Sequence, residues 1–335
     1  MAVEESFLNY DKIKQIMLEN YGIVINKVNK VNRGSANIYD ISSGTNHFVL
    51  KEFQEKIDIE KVKIEYSVIK HLKNYNIPTP DYILTKKGNI YCNNSNRIII
   101  AQKFVSGKVA DLNTSSKEQI IESVQMYGKI VNALENYPHK LPSFKRHLMS
   151  KELCKKEIEN IEQLIKKSNN KEINNKLIHK QQILLKIENI DYSWIKKLTY
   201  KKSHGDYNVQ QFIYDSKGKI KTVLDFVATR NIPISRELIR NYFFMGKEIK
   251  EKSIDFNFFV EYIQEFSKYQ KLNYYDLKFM PLLYLIELSR TIYGYEQYFY
   301  NGLKEYLDFG NDLYNQCVCL EKNYKELENK LIKLI

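Results

Sequence analysis

The stretch Ser203–Tyr214, SHGDYNVQQFIY, followed by VLDF at Val223–Phe226, restricts this chain more than any other feature. It holds a His-Gly-Asp triplet with an apolar run behind it, then a second aspartate on another apolar run. Asp206 and Asp225 stand nineteen residues apart, which suits a short loop, a strand, a turn and a second strand. Asp215-Ser216-Lys217-Gly218 supplies an Asx/Gly-type turn between the two runs. Two carboxylates set by one hairpin answer the needs of phosphoryl transfer. One orients and deprotonates a hydroxyl, and the other holds a metal on nucleotide phosphates. A plain surface hairpin carrying two aspartates is the alternative, and the rest of the chain has to decide between them.

A chain of 335 residues can bury two cores, and 43% hydrophobic with 27% charged residues is ordinary for a globular protein. No run approaches ~18 uninterrupted apolar residues, so no membrane span is expected. The N-terminus is polar and acidic, unlike a signal peptide. Cys92, Cys154, Cys317 and Cys319 lack metal-ligand spacing, which fits a cytoplasmic protein with reduced thiols. The net charge is +12, yet only seven of the 52 cations are arginine. The lysines are interleaved with glutamate, as in KKEIENIEQLIKK, so no nucleic-acid partner is expected. The abundance of Lys, Asn, Ile and Tyr resembles the coding bias of an AT-rich bacterial genome.

Along the chain, residues 1–22 pattern as a helix through Phe7, Ile13, Ile16 and Met17, stopped at Gly22. A three-strand meander follows, broken at Asn32-Arg33-Gly34-Ser35 and at Ser42-Ser43-Gly44-Thr45. The first break is a small polar turn whose backbone N–H groups, at Gly34 and Ser35, can cover phosphates. The third strand carries Lys51, and the helix from about Asp58 to Asn74 carries Glu65. This pair is either an anchor for the α/β-phosphates or a strand lysine and a solvated helix glutamate. Strands follow at Tyr82–Thr85 and Arg97–Phe104. The second ends in a stretch, Gln102, Lys103, Phe104 and Val105, whose backbone can meet a nucleobase.

From Ser115 the pattern turns helical. Ser115 and Glu118 suggest a capping box, and Ile120, Val124, Tyr127, Val131 and Leu134 form one apolar face. Two charged helices over about 148–190 break at Ser168-Asn169-Asn170. After the hairpin and Pro233, further helices run through Glu237 and Arg240, FFVEYIQEF, PLLYLIELSRTIYGYEQYF and the Lys/Glu-rich tail. Their aromatic residues are expected in the core. Asp255, Glu261 and Glu265 can meet a cationic substrate or lie solvated.

The order of these features resembles the aminoglycoside phosphotransferase/choline kinase family over roughly residues 20–300, with closest likeness to its spore-coat (CotS-like) and homoserine-kinase-like branches. The most specific part is HGDYNVQQFIY…VLDFVATRNIPISRELIR. The resemblance implies an α+β, bilobal protein-kinase-like fold, with a small antiparallel-sheet N-terminal lobe over residues 1–105 and a larger helical lobe over 106–335. It implies transfer of the γ-phosphate of ATP or GTP, with Mg²⁺, to a hydroxyl of a small molecule. Carried over by position, Asp206 is the base and Asp225 the main metal ligand. Lys51 touches the phosphates, held by Glu65. Glu237 stands where the family has a structural aspartate, and His204 supports the catalytic loop. Two positions depart from the pattern. The metal-binding asparagine is Gln211, with Asn208 a nearby substitute, and the second aspartate of Asp-x-Asp is Val227. These departures leave open a non-catalytic kinase-fold protein, such as a spore-coat component that binds partners.

Overall fold

The computed structural model describes residues 5–31, 36–144 and 150–335. The expected turn at Gly34 and Ser35 lies outside them. Two compact units divide the chain, Met1–Lys108 with Gln211–Thr229, and Val109–Gln210 with Arg230–Ile335. The hairpin after Asp206 is grouped with the first unit.

The first unit opens with α1 (Tyr10–Ile16), whose N-cap Asn9 accepts from the Lys12 N–H, and a π turn over Met17–Tyr21 ended by Gly22 in the left-handed region. The helix thus starts later than expected. Phe7 lies outside it, 84% exposed and under the Arg97 guanidinium. The strands β1 (Lys27–Val31), β2 (Asn37–Ser43) and β3 (Asn46–Glu52) form the meander. Helix α2 (Ile59–Lys73) follows, N-capped by Asp58. Next come β4 (Tyr82–Ile83), β5 (Cys92–Asn94) and β6 (Arg97–Lys103), which complete an antiparallel sheet of order β1-β2-β3-β6-β4 with β5 also on β6. The pairing Asn94↔Arg97 sets the turn between β5 and β6 at Ser95-Asn96.

Alternation across the pleat builds two layers. Leu50, Ile99 and Ala101 pack with Ile13, Ile16 and Met17 of the N-terminal segment. Phe53, Ile98 and Ile100 face the other way and pack with Val62 of α2. Lys51 falls in register between Ile38 and Ile100, so its side chain is directed into the α2 layer.

The second unit begins with α3 (Lys117–Glu135). Its capping box is Ser116 with Gln119, one residue after the expected pair. Ser115 is instead buried, with its N–H on the Met245 carbonyl. The predicted apolar face of α3 is wholly buried. Helices α4 (Lys151–Lys167) and α5 (Lys171–Ile187) break at the expected residues, with Asn170 capping α5 through the N–H groups of Glu172 and Ile173. Strand β7 (Tyr200–Ser203) leads to the His-Gly-Asp loop.

The chain then returns to the first unit as β8 (Phe212–Tyr214) and β9 (Ile220–Val223), joined through the predicted turn. Asp215 Oδ1 accepts from the N–H groups of Lys217 and Lys219 there. The hairpin is tied in by Tyr214 and Lys108, which exchange both backbone bonds, and by the Val223 N–H on the Pro78 carbonyl. A Cβ at Gly107 would stand 2.4 Å from both Ile213 Cγ2 and the Tyr214 carbonyl oxygen, so only glycine allows this approach.

Back in the second unit, β10 (Arg230–Pro233) pairs with β7, a strand absent from the sequence reading, which passes from the hairpin to the helix after Pro233. Pro233 ends its ladder, where a missing N–H is tolerated. Helices α6 (Ile234–Met245), α7 (Phe256–Ser267), α8 (Tyr274–Arg290), α9 (Tyr293–Asn301) and α10 (Glu305–Leu331) complete the unit. Pro281 lies inside α8 instead of starting it, because the capping box Asn273–Asp276 nucleates the helix two turns earlier. Phe258, Phe259, Tyr262, Phe266 and Tyr284 are buried, as core residues. Lys180, fully buried, donates to the Leu288 and Thr291 carbonyls at the end of α8, and burial pushes its pKa down to about 8. All four cysteines are buried and unbridged. No described helix is long and apolar enough to cross a membrane.

Gly107→Ala forces Ile213 or the Tyr214 carbonyl to move and is expected to destabilise by about 1–3 kcal/mol or more. Gly44→Ala, at a turn with open space around it, costs only the strain of its positive φ. Differential scanning calorimetry of the two variants checks this, and equal losses would refute the tight-approach account.

Candidate active-site residues

In the first unit three charged side chains meet. Lys51 Nζ lies 3.4 Å from Asp225 Oδ1 and 4.0 Å from Glu65 Oε1. Glu65 is fully buried, so the reading of it as a solvated helix residue is overturned. Its position on α2, among Val62, Val68, Ile69 and Leu72, places it on the buried stripe of the helix. A carboxylate there needs partners. Tyr82 of β4 donates to Glu65 Oε2 at 2.6 Å, and the Phe226 backbone N–H also bonds it. Burial raises the Glu65 pKa, Lys51 opposes, and the net direction is upward. For Lys51 burial pulls downward, but Asp225 and then Glu65 outweigh it and hold the ammonium above its ordinary value.

Asp225 occupies its place by an unusual backbone. Its φ of 61° and ψ of 61° are left-handed, which aspartate tolerates better than most residues, and a 3₁₀ turn over Phe226–Ala228 follows. The turn puts Val227 against the layer of Phe53, Val62 and Ile100, a packing that a second aspartate could not supply without burying a charge. The Gln211 carbonyl accepts from the Leu224 N–H at 2.8 Å, so Gln211 and Asp225 are neighbours across the mouth of the hairpin.

The expected nucleobase stretch is partly committed. The Lys103 N–H bonds the Asp81 carbonyl and the Phe104 N–H the His47 carbonyl, while Gln102 is held in the ladder between Val49 and Tyr82. The N–H groups of Lys103 and Phe104 are therefore engaged within the first unit. No hydrogen bond to the Val105 amide occurs among the described residues.

In the second unit the loop after β7 carries Asp206, whose carboxylate is 40% exposed and lies 2.8 Å from Arg240 Nη2. The loop is fastened from within. The Asp206 N–H donates to His204 Nδ1, and Asn208 donates to the Asp206 carbonyl while accepting from the Gln210 N–H. Asn208 is buried, and its amide oxygen accepts within its own loop. Beneath, Glu237 is fully buried and accepts from the Tyr127 and Ser203 hydroxyls and from the Tyr207 N–H at 3.1 Å. Asp255 and Glu265 are tied to Lys117 and Lys268.

Sequence reasoning missed Tyr82 and Arg240. A β-strand tyrosine gives no hint of its partner, whereas Arg240 sits three residues from Glu237 on one helix face and was open to suspicion. Tyr82→Phe removes the hydroxyl but not the ring and takes one hydrogen bond from a buried carboxylate. It is expected to cost about 1–3 kcal/mol, measured as a lower denaturation midpoint. Tyr75→Phe, at an exposed ring, is the control, and an equal midpoint for both variants would contradict this role.

No protein-family model matches the sequence, and no curated protein does. Solved structures do. An amicoumacin kinase in complex with AMP-PNP, Ca²⁺ and its ligand matches with a TM-score of 0.62 at 14% identity, over 96% of this chain and 94% of that one. A spectinomycin phosphotransferase in complex with ADP and spectinomycin matches at 0.59 and 15%, over 96% and 100%. An aminoglycoside phosphotransferase from Alicyclobacillus acidocaldarius matches at 0.64 and 11%, over 98% and 99%. The chain has the protein-kinase-like fold shared by these small-molecule kinases, with an antiparallel-sheet unit and a helical unit.

Proposed function

We propose that the protein is a nucleotide-dependent phosphotransferase that moves the γ-phosphoryl group of ATP or GTP to a hydroxyl of a small molecule. The observation that carries the reading is the meeting of the buried Lys51 and Glu65 with the partly exposed Asp225. A folded relic has no need to desolvate an ammonium and a carboxylate, and pairing them offsets the cost only in part. The fold neighbours support it, since each is a kinase or a phosphotransferase.

Asp225 and the Gln211 amide offer one carboxylate and one neutral oxygen. That set suits Mg²⁺, which takes few protein ligands and completes its shell with phosphates and water. When bound, the ion neutralises charge on the phosphates. Lys51, now paired with Asp225, would exchange that carboxylate for the α/β-phosphates, with Glu65 and Tyr82 keeping it in place. The Val105 amide is the donor left for the base. Asp206 would orient the acceptor hydroxyl and take its proton as the oxygen bonds to the γ-phosphorus and the bond to the β-phosphate oxygen breaks. These are positioning and electrostatic roles, the effects that dominate such transfers.

Calorimetric titration with Mg·ATP and Mg·GTP is the direct test. Wild type should bind at least one, and Asp225→Ala should lose that binding. Asp206→Asn should keep nucleotide affinity within a few-fold while turnover on an accepted substrate falls by about 10²–10⁴. A folded wild type that binds neither nucleotide would end the enzymatic reading and favour a kinase-fold binding protein.

A further inference from the structure

Gln102 of β6 is 4% exposed, and its side-chain Nε2 has no hydrogen-bond acceptor among the described residues. A buried amide donor left unpaired is destabilising, and a methionine or leucine would fill the same space without that penalty. The backbone of Gln102 is committed, because the residue stands in the ladder between Val49 of β3 and Tyr82 of β4. The side chain therefore keeps an unused donor that one more acceptor would satisfy.

Strand alternation locates this amide. On β6, Ile98, Ile100 and Gln102 share one face of the sheet, and on β3 His47, Val49 and Lys51 share that same face. Lys51 pairs across the strands with Ile100, and Val49 with Gln102. One step further along, the His47 ring packs on Phe104 with centroids 5.7 Å apart, and Phe104 is 40% exposed. Each step of two residues advances about 6–7 Å, so the row spans roughly 13 Å. It runs from an ammonium, past an amide donor, to an exposed aromatic ring. That order of chemistries fits a nucleotide laid along β3 and β6. The phosphates meet Lys51, the polar edge of the base meets Gln102, and a ring face is offered beside Phe104.

We infer that the Gln102 side chain is a specificity-determining contact for the nucleotide, pairing with the edge of the base and setting the preference between ATP and GTP. This rests on the phosphotransferase reading and adds a side-chain contact to the Val105 backbone amide. Adenine carries an N–H donor at the position where guanine carries a carbonyl acceptor. An amide enclosed between two strands presents one orientation to the base. It pairs with one purine and leaves an unpaired polar group against the other, which is where strong discrimination arises.

The test titrates wild type, Gln102→Leu and Gln102→Met calorimetrically with Mg·ATP, Mg·GTP and Mg·tripolyphosphate, which carries the phosphates without a base. Wild type should favour one nucleotide over the other by about tenfold or more, and over tripolyphosphate as well. In both variants the favoured nucleotide should weaken by about tenfold, which brings ATP and GTP to within about threefold of each other. Tripolyphosphate should bind the variants as it binds wild type, a constancy that a misfolded protein cannot imitate. Equal affinity of wild type for ATP and GTP, an unchanged preference in both variants, or a parallel loss of tripolyphosphate would overturn the inference. If wild type binds tripolyphosphate as tightly as either nucleotide, the base contact fails and the phosphate site stands. If it binds none of the three, the phosphotransferase reading itself fails.

Discussion

A lysine ammonium that has left water, held between Asp225 and Glu65, is the interaction on which the first unit depends. Each participant comes from a different element: β3, the turn after β9, and α2. None can shift alone, because removing one partner leaves a buried charge unanswered. The sheet register fixes Lys51, the apolar stripe of α2 fixes Glu65, and the left-handed backbone at Asp225 turns that carboxylate toward the lysine. The hairpin must dock for the triad to exist, which is why Gly107 has no room for a side chain.

The second unit is organised around a buried carboxylate too, with neutral partners in place of a lysine. Glu237 draws hydroxyls from α3 and β7 and the Tyr207 amide onto one pair of oxygens, so a helix, a strand and the Asp206 loop share one anchor. Around it Tyr207 donates to the Ser123 carbonyl, and Asn241 joins Ser123 to Tyr262. The loop that presents Asp206 is held from below by Glu237 and from within by His204 and Asn208. Its carboxylate stays partly exposed while its backbone is committed.

Much of this was legible in the chain. Period-two alternation announced the meander, period-3.6 repeats announced α2 through α5, and Asp215–Gly218 announced the hairpin turn. Those signals are local, and local signals survive because each element buries one face. Where reading failed, the deciding partner was distant in sequence. Strand β10 forms because β7 lies beside it, β5 because β6 does, and α8 runs through Pro281 because its cap comes earlier. Glu65 was readable either as a partner for Lys51 or as a solvated glutamate; nothing in IEYSVIKHL says that Tyr82 and Phe226 will enclose it.

The sequence by itself determined the residue types that the proposed phosphoryl transfer needs, their order, and most of the elements that carry them. Composition and short-range pattern suffice for that, since propensity, turn chemistry and amphipathic period act over a few residues. Only the tertiary structure decided what each charge faces. It set Lys51 closer to Asp225 than to Glu65, gave Tyr82 to Glu65, packed Val227 into an apolar layer, and bound Arg240 to Asp206. The physical reason is that the energy of a charge depends on burial and on partners brought from far along the chain, and neither quantity exists until the chain has folded.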